Sequence, residues 1–503
     1  MWVLLLYHPT STLSTPHRHF LESSHPPRFS MRSEAFRSLS PGHASCRQLR
    51  SVPVCGPVHR ASYRGNCFYI KHKKCKILCY EHTAKNQYTR ELLFSTVYEL
   101  MSDVVFRHRP SVRAAYQAQA REIETSLASV YNKLNGLETH TSAELVRYSA
   151  AQFTPLIEQV GGEREPWLGG HRVKIIDGNC IEASQCRLGA LREVQAAALP
   201  GKSLVVYEPA CGLVTDVVLC EDGHAQERSL FKALLRTAQA GDLWIADRNF
   251  CTREFLAELD SHGAFFVIRE HQGLPCELLS PLGMEHRLET GHVAEQRVRF
   301  VDANSHVHRC RRLRLKLKEA TRDGETLLYI LTNVPRQMAS TACVSELYRK
   351  RWTLETAFKH IEAYFHSEIN TLGYPKAALF GFCLALVAYN VLAVVLAALR
   401  GVYGQEKIDQ EVSLYYVANE IATTYTGMMI AIPEPAWSVF STMSTPELAK
   451  VLVDLAQHVR LEAFRKSLTR ARKTRSNPKR SSKKGHVSTA KLLKSRKAKV
   501  TAP

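Results

Sequence analysis

Apolar residues recur at helical spacing from residue 90 to about residue 135, beginning RELLFSTVYELMSDVVFRHRPSVRAAYQAQ, with Pro110 as a break. That period predicts a small helical domain. From residue 171 the texture changes to short apolar runs bounded by turn residues. HRVKIIDGN, KSLVVYEP and GLVTDVVLC read as three strands, HAQERSLFKALLRTAQAGD as a helix stopped at Gly241, and LWIADRNF as a short buried strand ending at Asp247. The helix TREFLAELDSHG and the strand AFFVIRE follow. Three consecutive strands make a meander, and the helical crossovers after them add parallel strands, so the fold class is α/β.

Between 270 and 335 the period is two throughout. HRLETGHVAEQRVRF, RCRRLRLKLKEA and ETLLYILTNV alternate polar with apolar residues and predict a β-rich insertion. One of its faces is cationic, carrying Arg297, Arg299, Arg312, Arg314, Lys316 and Lys318. Helical spacing returns in YRKRWTLETAFKHIEAYF, residues 348–365. As one helix, this stretch aligns Tyr348, Arg351, Trp352, Glu355, Lys359 and Glu362 on one stripe. Leu347, Leu354, Phe358, Ile361 and Phe365 form an apolar stripe beside it. The run AALFGFCLALVAYNVLAVVLAAL, residues 377–399, is long enough to span a bilayer. With Tyr389 and Asn390 at its middle and an amphipathic stretch just before it, a buried core helix is the expectation. The resulting order is a basic extension without periodicity (1–86), a helical and candidate DNA-binding domain (87–165), a first core segment (166–269) and the β-rich insertion (270–335). A second core segment (336–402), a helical C-terminal region (403–464) and a disordered basic tail (465–503) complete it.

Charge changes this picture at the ends. The net charge is +20, but residues 465–499 hold fifteen Lys and Arg and no acid, and residues 1–86 hold thirteen against three acids. The remainder is left at about −5, so the folded middle is not basic and the ends are what suit a polyanion such as nucleic acid. Nine of the fourteen Cys are scattered singly through 180–383, which is the usage of a reduced compartment rather than a disulfide framework. Cys67, Cys75 and Cys79, with His72 and His82, fit no standard zinc spacing.

The candidate chemistry lies in acids at strand ends. Asp177 and Asp247 each close a buried strand, where the chain turns outward. If the strands are neighbours, the carboxylates converge, and such a pair is costly unless a divalent cation neutralises it. Glu355, on a helix passing over the strand ends, would complete an all-oxygen site suited to two-metal phosphoryl transfer. Strand-end aspartates are also common as turn formers and helix caps, and that reading stays open. His171, Glu182 and Asp216, nearby in sequence, read as structural.

These residues resemble the DDE transposases of bacterial insertion sequences, in particular the fourth insertion-sequence family. The resemblance rests on IIDGN with Asp177, LWIADRNF with Asp247, and YRKRWTLE with Tyr348, Arg351 and Glu355, and it covers roughly residues 90–400. It implies an RNase H-like core with a β-rich insertion between the second Asp and the Glu. It also implies Mg2+, with Mn2+ able to substitute, held by Asp177, Asp247 and Glu355. Tyr348 and Arg351 would handle the transposon end, joined by Lys359 and Arg248 on DNA. The family signature places Lys seven residues after the Glu, where this chain has Glu362; Lys359, one turn earlier, is the available substitute. The implied partners are double-stranded DNA, both transposon ends and target, and a second copy of the chain, with no membrane. The implied location is the bacterial cytoplasm, at the nucleoid. A DNA-binding relative that has lost catalysis, and a metal-dependent nuclease without strand transfer, are the alternatives.

Overall fold

The structure, a computed structural model, describes residues 92–182, 197–321, 324–432, 436, 439–467 and 486–501. The basic N-terminal extension and the Cys67, Cys75 and Cys79 group lie outside the described residues. Helices α1 (Phe94–Val105), α2 (Val112–Gln119), α3 (Leu127–Gly136) and α4 (Thr139–Gln159) come first. The chain breaks between α1 and α2 around Pro110, and the Ser111 hydroxyl restarts it by accepting a hydrogen bond from the Ala114 amide.

Ten strands then form one sheet. They are β1 (Val173–Ile181), β3 (Gly201–Glu208), β4 (Leu213–Cys220), β5 (Leu243–Ala246), β6 (Phe265–Arg269), β7 (Glu277–Leu278), β8 (His286–Leu288), β9 (Gly291–Val301), β10 (Val307–Leu317) and β11 (Leu327–Thr332). The order across the sheet is β4-β3-β1-β5-β6-β11-β10-β9-β7, with β8 beside β9. Two short helices, α5 (Phe231–Leu235) and α6 (Arg253–Ser261), make the crossovers into β5 and β6, and β1, β5 and β6 are mutually parallel. The segment read as an insertion thus prolongs the core sheet, because β11 pairs antiparallel with β6 through Leu331 and Ile268. Its alternation explains why. Val298, Phe300 and Cys310 enter the core under α5 and α6, while Val293, Leu313 and Leu315 enter the core on the opposite face. Both faces are therefore buried, and only a continuous sheet buries both.

Three of the six cations expected on this face have acidic partners. Arg299 pairs with Glu277, Arg312 with Glu270 and Arg314 with Glu285. Charge counting along the chain missed this because the acids come from neighbouring loops and strands.

Helices α7 (Thr341–Arg349), α8 (Trp352–Tyr364) and α9 (Pro375–Tyr403) cover the other face, followed by α10 (Gln405–Glu411), α11 (Leu414–Ala431) and α12 (Thr445–Gln457). The continuous helix expected over 348–365 is two helices with a bend at Lys350. The C-terminal tail also departs from expectation. His486–Ser488 forms β12, paired in parallel with β2 (Ala197–Leu199), and α13 spans Thr489–Thr501. Lys491 anchors this segment on Asp222 at 3.0 Å, a local partner that composition does not reveal.

Among the described residues α9 is the one helix long and apolar enough to cross a membrane, and its apolar window lies wholly inside the protein. Every residue from Ala377 to Arg400 is buried. Close approach at its end is possible because of two glycines: a Cβ on Gly162 would meet the Ala397 carbonyl oxygen at 2.1 Å, and one on Gly401 the Val160 carbonyl oxygen at 2.0 Å. The polar residue at its centre docks it to the sheet. Asn390 accepts a hydrogen bond from the Val214 amide at 2.8 Å and donates to the Val214 carbonyl at 2.8 Å and to the Ser149 hydroxyl at 3.0 Å. Edge strand β4 thus finds in one side chain the partner that a further strand would have supplied. Replacing Asn390 by Leu strands both Val214 groups, and we expect a loss of at least about 2 kcal/mol in urea unfolding. An unchanged midpoint would show that the clamp is dispensable.

Candidate functional site

Parallel pairing of β1 with β5 brings Ile175 opposite Ile245, in register. Two residues further on, Asp177 and Asp247 stand side by side. Both share the parity of Ile175 and Ile245, which pack under α7, α8 and α9, so both face those helices. One expectation is corrected here. Asp177 does not end its strand, since β1 runs on to Ile181 with Asp177 paired to Val205 of β3. The neighbour ends instead: β5 is four residues long and leaves the ladder at Ala246, which opens the flank of β1 at Asp177. Asp247 also serves as a cap. Its side chain accepts from the Asn249 amide at 2.9 Å and starts the 3-10 turn Arg248–Phe250.

Glu355 arrives on α8, and the bend before it decides its aim. Arg351 donates its amide to Tyr348, Thr353 to Lys350 and Leu354 to Arg351, all to the carbonyl three residues back at 3.0–3.2 Å. These tight turns swing Arg351 inward. Its guanidinium donates to Asp177 Oδ2 at 3.1 Å and to Glu355 Oε1 at 3.0 Å, with the side chain only 9% exposed. Its Nε has no hydrogen-bond partner. Tyr348 is likewise buried, with its hydroxyl hydrogen-bonded to Arg351 and Asp247 nearby. Both residues were read as lying on a DNA-facing stripe. The bend takes them off it and makes them the bridge between sheet and helix.

The exposed part of that stripe lines a cleft of about 350 Å³ with Asp177, Glu355, Lys359, Glu362 and Glu368 on its walls. Lys359 and Glu362 are exposed there. Arg248 is half exposed and faces Glu325 at 3.4 Å, a carboxylate it shares with Arg269. His171 donates to or accepts from the Gly241 carbonyl oxygen, Asp216 is buried against Arg147, and the Glu182 amide donates to Glu368, so all three have structural partners. Glu227 and Glu368 were not singled out in sequence. A signal for the first existed: Gly178 follows Asp177 directly, and a Cβ there would meet Glu227 Oε1 at 2.4 Å. Nothing local marks Glu368.

Burial pushes the Asp177 carboxyl up to about 6 from the ordinary 3.8. The nearby Asp247 and Glu355 carboxylates push the same way, while Arg351 and the Gly178 amide pull it down without offsetting burial. A divalent cation would relieve such a potential, and three carboxylates offer the hard oxygen donors that Mg2+ takes. Donor chemistry therefore fits the metal. As arranged, no group of three His, Cys, Asp or Glu side chains among the described residues forms a ligand set, and the Arg351 guanidinium supplies the positive charge between Asp177 and Glu355.

A raised carboxyl pKa means that the folded state holds its proton more tightly than the unfolded chain. Stability is then fully present below pH 3.8 and is lost as pH rises through about 6. Asp177→Asn should therefore stabilise the protein at pH 7.5 by on the order of 2–3 kcal/mol and gain nothing near pH 3.5, as read by urea unfolding at both pH values.

Comparison with protein families bears on the same span. Residues 169–391 match the family model described as Transposase DDE domain. Comparison with curated proteins gave no match. The matched span takes in every strand of the ten-stranded sheet, Asp177, Asp247 and Glu355, and it stops within α9. The segment that carries the sheet and the three carboxylates is similar to a transposase DDE domain, and the match supports a DDE transposase family for it.

Proposed function

We propose that this chain is the transposase of an insertion sequence of the fourth family, cutting DNA at the element's terminal inverted repeats and joining the freed 3′-OH to target DNA. What supports this reading is that Asp177, Asp247 and Glu355 lie toward one face of the sheet, inside the span that matches the transposase domain, with Arg351 bridging Asp177 and Glu355. These carboxylates would hold Mg2+, with Mn2+ able to substitute. Metal held there would supply Lewis-acid activation of the attacking oxygen and stabilisation of the leaving one.

The protein's own groups have separate tasks. Arg351 neutralises Asp177 and Glu355 and holds α8 against β1, and Tyr348 fixes the guanidinium in turn. Lys359, exposed on the cleft wall, meets a phosphate at the position where the signature Lys is replaced by Glu362. Arg248 lies on the rim and exchanges Glu325 for a DNA phosphate. A homodimer on duplex DNA brings two ends together.

Replacing Asp177, Asp247 or Glu355 by Ala should lower Mg2+-dependent cleavage of a terminal-repeat duplex by at least about 100-fold, with duplex binding retained. Glu362→Ala should stay within about threefold of the parent, or gain, because it removes a negative charge beside the substrate phosphates. Cutting without joining to target would favour a nuclease, and binding alone a DNA-binding relative without catalysis. Equal loss in the Glu355 and Glu362 variants, or cleavage surviving Asp177→Ala, would remove this mechanism.

A further inference from the structure

The face of the sheet opposite the carboxylates holds a larger concavity, of about 710 Å³, between α5 and α6. Arg228, Lys232 and Arg236 stand four residues apart through the turn Glu227–Leu230 and into the chain after α5, so they share one side of it. Arg253, in the first turn of α6, faces them across the concavity. All four are exposed, and among the described residues none of the four takes part in an ion pair. The acids on the rim are Glu254 and Glu258, the second facing His262 at 4.0 Å. The wall is therefore net cationic. This separates it from the β9–β10 pair, where Arg299, Arg312 and Arg314 each already have a Glu partner.

Position gives the groove its meaning. Arg228 donates through Nε to the carbonyl of Asn249, two residues after Asp247, so the mouth of the groove lies at the strand ends that carry the site. From there to Arg236 the helical rise is about 12 Å. Phe231, Phe255 and Leu274 make an apolar floor beneath the cations. A line of unpaired positive charge over an apolar floor, starting at the carboxylate site, suits a sugar–phosphate backbone.

We propose that this groove binds the backbone of the duplex DNA that runs out past the carboxylate site, with Arg228, Lys232 and Arg236 each on one phosphate. The proposal rests on the transposase reading above and adds a second DNA contact on the other face of the sheet. It is tested with the full-length protein and a labelled 40-base-pair duplex, by measuring affinity between 50 and 200 mM salt. Each phosphate contact contributes about 0.9 to the slope of log affinity against log salt. The triple variant Arg228→Gln, Lys232→Gln, Arg236→Gln should lower that slope by about 2.5 and weaken binding uniformly across sequences. The charge-matched triple Arg299→Gln, Arg312→Gln, Arg314→Gln should leave it within about 0.5 of the parent. Equal slopes in the groove triple and the parent, or equal losses in both triples, overturn the groove alone. No duplex binding by the parent at 50 mM salt overturns the transposase reading and this one with it.

Discussion

Asp177 on β1 and Asp247 just past the end of β5 set two carboxylates near each other, and the burial of Asp177, with the repulsion from its neighbour, is the constraint that the surrounding structure answers. Neither strand sets this by its own propensity. The register of β1 on β5 aligns them, and the early end of β5 opens room beside them. Burial sharpens the conflict, as the raised Asp177 carboxyl shows. Arg351 answers it from the bend between α7 and α8, pairing with Asp177 and Glu355 at once. Removing the cation while leaving both acids would strand buried charge, which is why such a bridge is strongly held once formed. The same potential is what makes the place suited to a divalent ion.

The sheet divides labour between its faces. One face takes α7, α8 and α9 and carries the acids; the other takes α5 and α6 and carries unpaired cations. Running the β-rich segment into this sheet, instead of folding it apart, buries both of its faces, while Arg299, Arg312 and Arg314 find acids within the segment itself. Exposed pairs of this kind add little stability, yet they remove those charges from the reach of a polyanion. Among the described residues, cations without an acidic partner remain in the concavity between α5 and α6.

Helix α9 supports the acid-bearing face. A helix this apolar would be at home in a bilayer by composition, but here it is enclosed, and Asn390 satisfies the edge strand β4 from within the core. One polar residue in a long apolar run is costly without partners and well placed with them. It ties the helical layer to the strands that position Asp177.

Much of this was written along the chain. Period-two and period-3.6 patterns located most of the strands of the sheet and the apolar helix α9, because side-chain burial follows local geometry. Residue type marked Asp177, Asp247 and Glu355 as candidates, and the order of strands and crossover helices announced a mixed sheet. Three things were decided only by tertiary contact. A local pattern cannot say which strand ends beside Asp177, because that depends on the length of a neighbour seventy residues away. It cannot say that the stretch from Tyr348 to Glu355 bends, turning Arg351 from a surface charge into a buried bridge, because the partners come from β1. Nor can it say which cations have acidic partners, since Glu270, Glu277 and Glu285 reach theirs while, among the described residues, Arg228, Lys232 and Arg236 meet none. Sequence sets the kind of charge; the fold sets what each charge faces, because Coulomb energy depends on separation and burial and not on order along the chain.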